Sequence, residues 1–316
     1  MNDICYLGID TSNYTTSLSL VDQHGFVVAN LKIPLEVKVG ERGLRQSDAV
    51  FQHTRNMPEL FSMAERYLER YEPIAVGVSV SPRSCEGSYM PCFLAGKAVA
   101  YSLAKTLKIP LFELSHQNGH VMAACYSGRV PESLLEMPFL AFHVSGGTTE
   151  ALVVRPNGCD FSCEIIGGTK DINAGQAIDR VGVAMGLSFP CGVELEKLAL
   201  SYDGKIPHSP VCVKDGFCNL SGLENKAVKL YKETQNKNLV AAYVLDFIGA
   251  TLEKITDDIR SDLPEYPIVY SGGVMSCSVL QKRLKKENTY FAEPKFSSDN
   301  AAGIALLCRR AFEAKK

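Results

Sequence analysis

The sequence predicts an α/β protein of two lobes built on a duplicated plan. Three observations carry this prediction. One strand-turn-strand pattern occurs twice, at Tyr6–Val21 and at Phe139–Val154, each an apolar run that reaches a Ser/Thr/Gly-rich turn and leaves it with alternating residues. Apolar runs of strand length alternate with segments of helical period along most of the chain. Glycine pairs punctuate several strand ends, at Gly146-Gly147, Gly167-Gly168 and Gly272-Gly273.

Taken in order, the first hairpin is followed by a polar stretch from Gly40 to Gln46 and a helix over about Ser47–Arg70. Ile74–Val80 reads as a buried strand, and Ser81–Pro91 as a Pro/Gly loop at its end. A helix over Cys92–Leu107 and a short strand Pro110–Leu114 close a first lobe, predicted as residues 1–114. A helix from His116 opens the second lobe, 115–296, and leads into the second hairpin. A strand Cys163–Ile166 stopping at Gly167-Gly168, helices over Ala174–Gly186 and Glu194–Ser201, and a poorly structured stretch Tyr202–Cys218 come next. The remainder reads as a helix Asn238–Ser261, a strand Pro267–Tyr270, a Gly-Gly turn, a basic helix and a strand Tyr290–Glu293. A last helix, 297–316, opens at Ser297-Ser-Asp-Asn300 and completes the first lobe.

With 316 residues, 46% of them apolar, the chain is long enough for two cores. A formal charge of −2 gives no global sign of a nucleic-acid binder, so any such contact is local. The eleven cysteines are odd in number, scattered, and never spaced C-x-x-C. That usage predicts reduced thiols in a cytoplasmic protein. No apolar run approaches the roughly 18–20 residues of a membrane span.

Two hairpin tips rich in hydroxyls and main-chain N–H groups suit anionic oxygens. Such a pair is the phosphate clamp of the actin/Hsp70/sugar-kinase (ASKHA) superfold, although two ordinary hairpins have the same pattern. The sharpest chemical signal is His116-Gln-Asn-Gly-His120. Residues four apart share a helix face, so both imidazoles can reach one ion, or both are simply polar helix residues. A zinc peptidase needs Glu after the first His, and Gln117 stands there instead. Asp299 offers a third ligand, or caps the last helix.

Read in order, His116-x-x-x-His120, Val144-Ser-Gly-Gly-Thr148, Gly168-Thr-Lys-Asp171 with Ala174-Gly-Gln-Ala-Ile-Asp179, Gly186-Leu-Ser-Phe-Pro190 with Glu196-Lys-Leu-Ala199, Leu220-Ser-Gly-Leu223, Ser271-Gly-Gly-Val274 and Ser298-Asp-Asn-Ala-Ala302 resemble the TsaD family almost end to end. The resemblance implies the ASKHA superfold and an acyltransferase. Its reaction moves threonylcarbamoyl from threonylcarbamoyl-AMP to N6 of adenosine 37 in tRNAs that read ANN codons. It also implies a divalent metal, iron or zinc, on His116, His120 and Asp299. An adenylate, or an ATP/ADP-type nucleotide, is implied at Ser145, Gly146, Gly147, Thr148, Asp179, Gly192, Glu196 and Cys277. The implied partners are the tRNA anticodon loop and the proteins of a threonylcarbamoyl-transfer complex, with no membrane. No covalent nucleophile is required.

The chain departs from the family pattern in places. Thr148 stands where the pattern has His, and Cys277 where it has Asn. Ser12-Asn-Tyr-Thr-Thr16 and Ser81–Gly87 replace two further loops. His143 either substitutes for the missing imidazole or is a satisfied strand histidine. Lys282-Arg-Leu-Lys-Lys286 is either a phosphate-contacting patch or a solvated helix face. Two other functions stay open: a paralogous carbamoyl- or acyltransferase on another acceptor, and a non-catalytic nucleotide-binding module.

Overall fold

Elements in chain order begin with strands β1 (Asp3–Ser12), β2 (Thr15–Asp22) and β3 (Val27–Pro34), helix α1 (Gln46–Leu68) and strand β4 (Tyr71–Ser81). Helix α2 (Phe93–Leu107), strand β5 (Leu111–Ser115) and helix α3 (His116–Ser127) follow. The second series is β6 (Phe139–Val144), β7 (Thr149–Asn157), β8 (Asp160–Thr169), α4 (Ala174–Ala184), α5 (Gly192–Leu200), β9 (Val213–Lys214) and β10 (Phe217–Cys218). It continues with α6 (Ser221–Thr234), α7 (Lys237–Arg260), β11 (Ile268–Ser271), α8 (Ser278–Leu284), β12 (Thr289–Phe291), α9 (Pro294–Ser297) and α10 (Ala302–Glu313). The computed structural model describes residues 3–12, 14–37, 44–261, 263 and 266–315. Asn13 of the first turn and 40–43 of the polar stretch lie outside the described residues.

The chain divides into two compact units. One comprises Met1–Tyr126, Pro156–Ser162 and Lys295–Lys316, the other Ser127–Arg155 and Cys163–Pro294. Helix α3, assigned from the sequence to the second lobe, clusters almost entirely with the first unit.

The first unit carries a five-stranded sheet in the order β3-β2-β1-β4-β5. Its antiparallel meander β1-β2-β3 gives way to the parallel pairs β1/β4 and β4/β5. Alternation sorts the two faces of β1. Cys5, Leu7 and Ile9 pack with Met57, Leu60 and Ala64 of α1 and Ala100 of α2, while Tyr6 packs with Ala305, Leu306 and Cys308 of α10. Asp10 continues the even-numbered set, so its carboxylate leaves the sheet on the α10 side.

The second unit repeats the plan. Its sheet order is β12-β11-β6-β7-β8-β10-β9, and β8-β7-β6-β11-β12 reproduces β3-β2-β1-β4-β5 in sequence and sense, with β6/β7 antiparallel and β6/β11 and β11/β12 parallel. Leu140, Phe142 and Val144 of β6 join Ile178 and Val181 of α4, Leu195 of α5, Leu223 of α6 and the buried length of α7 in one core. Strand β8 does not stop at Gly167-Gly168 but runs through to Thr169, where β10 pairs in parallel. Helix α6 is an element the sequence reading passed over. Its start is anchored by Asp171, whose carboxylate accepts from the main-chain N–H groups of Ile172, Leu220 and Ser221 at 2.7, 2.8 and 3.1 Å.

Partial burial is the largest single influence on Asp171 and works against its charge. Hydrogen bonds from the Ser221 hydroxyl and from the N–H groups of Leu220, Ser221 and Ile172 outweigh it and draw the pKa down to about 2. A carboxyl depressed on folding contributes stability that is present above the unfolded value near 3.9 and is lost as pH falls through the folded one. Acid titration of unfolding therefore loses stability between about pH 4 and 2 through this group, and Asp171→Asn flattens that part of the curve; equal curves for parent and variant would show that the anchor does not act.

Candidate functional site

Helix α3 begins directly at the end of β5, which fixes His116 at the carboxyl edge of the first unit's sheet. His116 and His120 follow one another on one face, with ring centroids 4.3 Å apart. Asp299 comes from the turn between α9 and α10. The N-cap position of α10 is Ala301, and the side chain of Asn300 accepts from Ala302 N at 3.0 Å. The Asp299 Oδ1 atom lies 3.2 Å from His120 Nε2 and 3.7 Å from His116 Nε2, and one ligand-capable atom from each of the three residues falls within 4.8 Å of the others.

Three neighbours hold the cluster. The Asp10 carboxylate, wholly buried, accepts from His116 Nδ1 at 3.0 Å and from Ser12 Oγ at 2.8 Å. Lys32 Nζ, on β3, donates to Lys295 O at 2.9 Å and Ser298 Oγ at 3.0 Å, tying down the turn that carries Asp299. Gly303 lets α10 cross α3 closely, since a Cβ there would collide with the Gly119 carbonyl, between the two histidines. Electrostatics follow this geometry. Burial is the largest influence on His116 and disfavours its cation, but the charge and hydrogen bond of Asp10, with Asp299, outweigh it and raise the pKa to about 9. Burial likewise works against the Asp10 anion, and the His116 charge and hydrogen bond reverse it, so its pKa is lowered.

The loop that follows β4 is fastened to the same helix. Pro82 O accepts from Gln117 N and Ser84 Oγ from Asn118 Nδ2, each at 3.0 Å.

In the second unit, Ser145–Thr148 forms the four-residue turn of the β6/β7 hairpin. Ser145 N donates to Thr148 O at 2.7 Å, and Ser145 Oγ accepts from the N–H groups of Gly147 and Thr148 at 3.2 and 3.1 Å. Two main-chain donors expected to point at a ligand are thus already engaged by the turn's own serine. Gly146 and Gly147 are exposed, and a side chain at either would meet open space. The start of α4 comes up to this turn, with Gly175 N donating to Ser145 O at 3.1 Å and no room at Gly175 for a Cβ against Gly146. The positive end of the helix dipole therefore lies at the glycine tip.

Asp179 Oδ1 accepts from Cys191 N at 2.8 Å, and Glu196 Oε1 accepts from Ser278 N at 2.7 Å, capping α8. The second oxygen of Asp179 accepts no hydrogen bond among the described residues, while the Glu196 carboxylate also faces the Cys277 thiol. Gly192 is exposed with open space at its Cβ position, while Cys277 is buried beside Glu196, burial and that carboxylate raising its thiol pKa. His143 Nδ1, on β6, lies 3.1 Å from Ser271 Oγ, on the paired strand β11, which favours the satisfied strand histidine. Arg283 is committed to Asp246 and Glu253 of α7 at 2.6 and 2.8 Å, leaving Lys282, Lys285 and Lys286 as the exposed cations of that segment.

A family model described as TsaD, tRNA N6-adenosine threonylcarbamoyltransferase, matches residues 52–306. The chain belongs to the TsaD family. A TsaD relative from Thermus thermophilus, named tRNA N6-adenosine threonylcarbamoyltransferase, is 31% identical over 98% of this chain and 93% of its own length. One of the same name from Streptococcus equi subsp. zooepidemicus is 29% identical over 97% and 91%. Among solved structures, full-length HypF in its phosphate- and nucleotide-bound form is similar at a TM-score of 0.62 and 14% identity, over 99% of this chain but only 47% of HypF. A ROK family glucokinase from Streptomyces griseus with glucose and AMPPNP is similar at 0.53 and 10% identity, over 96% of this chain and 99% of that one. These likenesses show the ASKHA fold. Among the described residues no helix is long and apolar enough to cross a membrane.

The sequence reading missed Asp10 and Lys32. Asp10 had a visible signal, an acid closing the apolar run Cys5–Ile9 on a buried strand. Lys32 had none, because its acceptors lie more than 260 residues away.

Proposed function

We propose that this chain is a tRNA-modifying acyltransferase that moves the threonylcarbamoyl group of threonylcarbamoyl-AMP to N6 of adenosine 37 in tRNAs reading ANN codons, in the cytoplasm. The observation that carries the reading is the convergence of His116, His120 and Asp299 in a TsaD family chain. The donor set fits a divalent ion: ligands about 2.0–2.1 Å from a tetrahedral centre stand roughly 3.3 Å apart, and the observed edges are 3.2 and 3.7 Å. Two imidazoles and a carboxylate suit zinc or iron and leave coordination positions open. When bound, the ion supplies Lewis-acid polarisation of a donor oxygen.

The other residues have roles that need no nucleophile. The positive end of the α4 dipole beside the exposed Gly146-Gly147 tip favours the phosphate of the adenylate. The second carboxylate oxygens of Asp179 and Glu196 accept from ribose hydroxyls, and Gly192 leaves the space beside them open. Cys277 contributes its small side chain to the nucleotide wall. The acceptor base leaves its stack in the anticodon loop, as chemistry on a base requires, and protein partners of a transfer complex assist.

Calorimetry with AMP, ADP and ATP tests the nucleotide half. Asp179→Ala is expected to weaken binding about tenfold or more, from the loss of charge-assisted hydrogen bonds; unchanged affinity for all three would remove the ribose assignment. Thr148 and Cys277, where the family pattern has His and Asn, favour a second reading in which the donor is kept and the acceptor differs. Metal-loaded protein that releases AMP from threonylcarbamoyl-AMP and labels a molecule other than tRNA would establish it. Failure to consume any carbamoyl-adenylate would leave the non-catalytic module.

A further inference from the structure

We propose that Asp10 is a positioning residue that fixes the His116 ring and its tautomer, so that Nε2 is the nitrogen offered to a metal. The inference rests on the metal reading of the His116, His120 and Asp299 cluster. An ionised carboxylate only accepts, so a 3.0 Å contact with Asp10 Oδ1 requires the proton on Nδ1. When the ring gives up its second proton to a metal, the Nε2 lone pair is therefore the one exposed, on the side where Asp299 Oδ1 lies, 3.7 Å away. A neutral imidazole without this partner is free to carry its proton on Nε2, which cannot then ligate, or to rotate away.

Asp10 is itself held rigidly. It lies near the end of β1, the central strand of its sheet, is wholly buried, and accepts from Ser12 Oγ on its other oxygen at 2.8 Å. His120 Nε2 lies 3.2 Å from Asp299 Oδ1, itself a member of the cluster. Such outer partners of metal-bound imidazoles are worth about 10–100-fold in metal affinity.

The test is zinc affinity, by competition with a chromophoric chelator, for the full-length parent, Asp10→Asn, Asp10→Ala and Asp10→Leu, with thermal unfolding of the metal-free proteins beside it. Asn keeps a carbonyl that accepts from Nδ1, whereas Leu fills the space without an acceptor. The expected result is a loss of roughly 10–100-fold in Leu and Ala, with Asn close to the parent. A packing role would be served by Leu as well as by Asn, so Leu binding zinc like the parent overturns the proposal. Asn as weak as Ala overturns it too, because charge and not ring orientation would then be the property used. If Leu does not fold, the Asn and Ala pair decides on the same terms. A parent that binds no zinc overturns the metal reading, and this inference with it; a parent that binds while all variants match it overturns only this one.

Discussion

Replacing His120 by Ala is expected to remove most of the bound metal and to lower threonylcarbamoyl transfer by about a thousandfold. Lewis-acid stabilisation of developing charge contributes several kcal/mol, and about 4 kcal/mol is a factor near 10³. The fold should survive the change. His120 is no member of the apolar core clusters and keeps 19% of its side chain exposed, so its truncation opens no core cavity. Metal content by elemental analysis, transfer rate and thermal unfolding are measured on one preparation. Full activity with no metal, or an unfolded variant, would each contradict the account.

The second large effect is on stability. Gly303→Ala replaces the poorest ordinary helix former with the best, which on propensity alone stabilises by about 1 kcal/mol. Here the added Cβ meets the Gly119 carbonyl and lies 2.9 Å from Ala123 N, both rigid main-chain atoms of α3. Overpacking against atoms that cannot turn aside costs about 3 kcal/mol or more, so the clash wins by about 2 kcal/mol, a drop of roughly 4–8 °C in the thermal midpoint. Zinc binding should weaken as well, because the carbonyl displaced lies between His116 and His120. Gly222→Ala is the control: it is helical and exposed with nothing near its Cβ, and should be neutral or slightly stabilising. Equal behaviour of the two variants would show that the α3/α10 crossing tolerates the methyl group.

What was legible in the sequence follows the range of the interactions involved. The two hairpins, the α/β alternation and the His116/His120 pair are local patterns of period 2 or 3.6, and they stand where the residues put them. The five-strand order repeated in both units was foreshadowed by the duplicated hairpin. Helix α6 was passed over although Leu223, Ala227, Leu230 and Tyr231 follow a helical spacing, because Lys and Glu dominate the segment and an irregular stretch precedes it. Strand β8 was cut short because Gly167-Gly168 reads as a breaker, whereas Gly168 takes a φ of 142° inside the strand. Asp299 could be read equally as a cap or a ligand; α10 takes Ala301 at its N-cap position. The engagement of Asp10, 106 residues from His116, is invisible to any local pattern.

Nucleoside mass spectrometry on unmodified tRNA tests the central claim most directly. The metal-loaded protein is incubated with freshly generated, labelled threonylcarbamoyl-AMP and candidate protein partners, and the tRNA is digested to nucleosides. Labelled threonylcarbamoyladenosine with the parent, and none with His120→Ala or Asp299→Asn, is the predicted result. Consumption of the donor with no label on adenosine would contradict it.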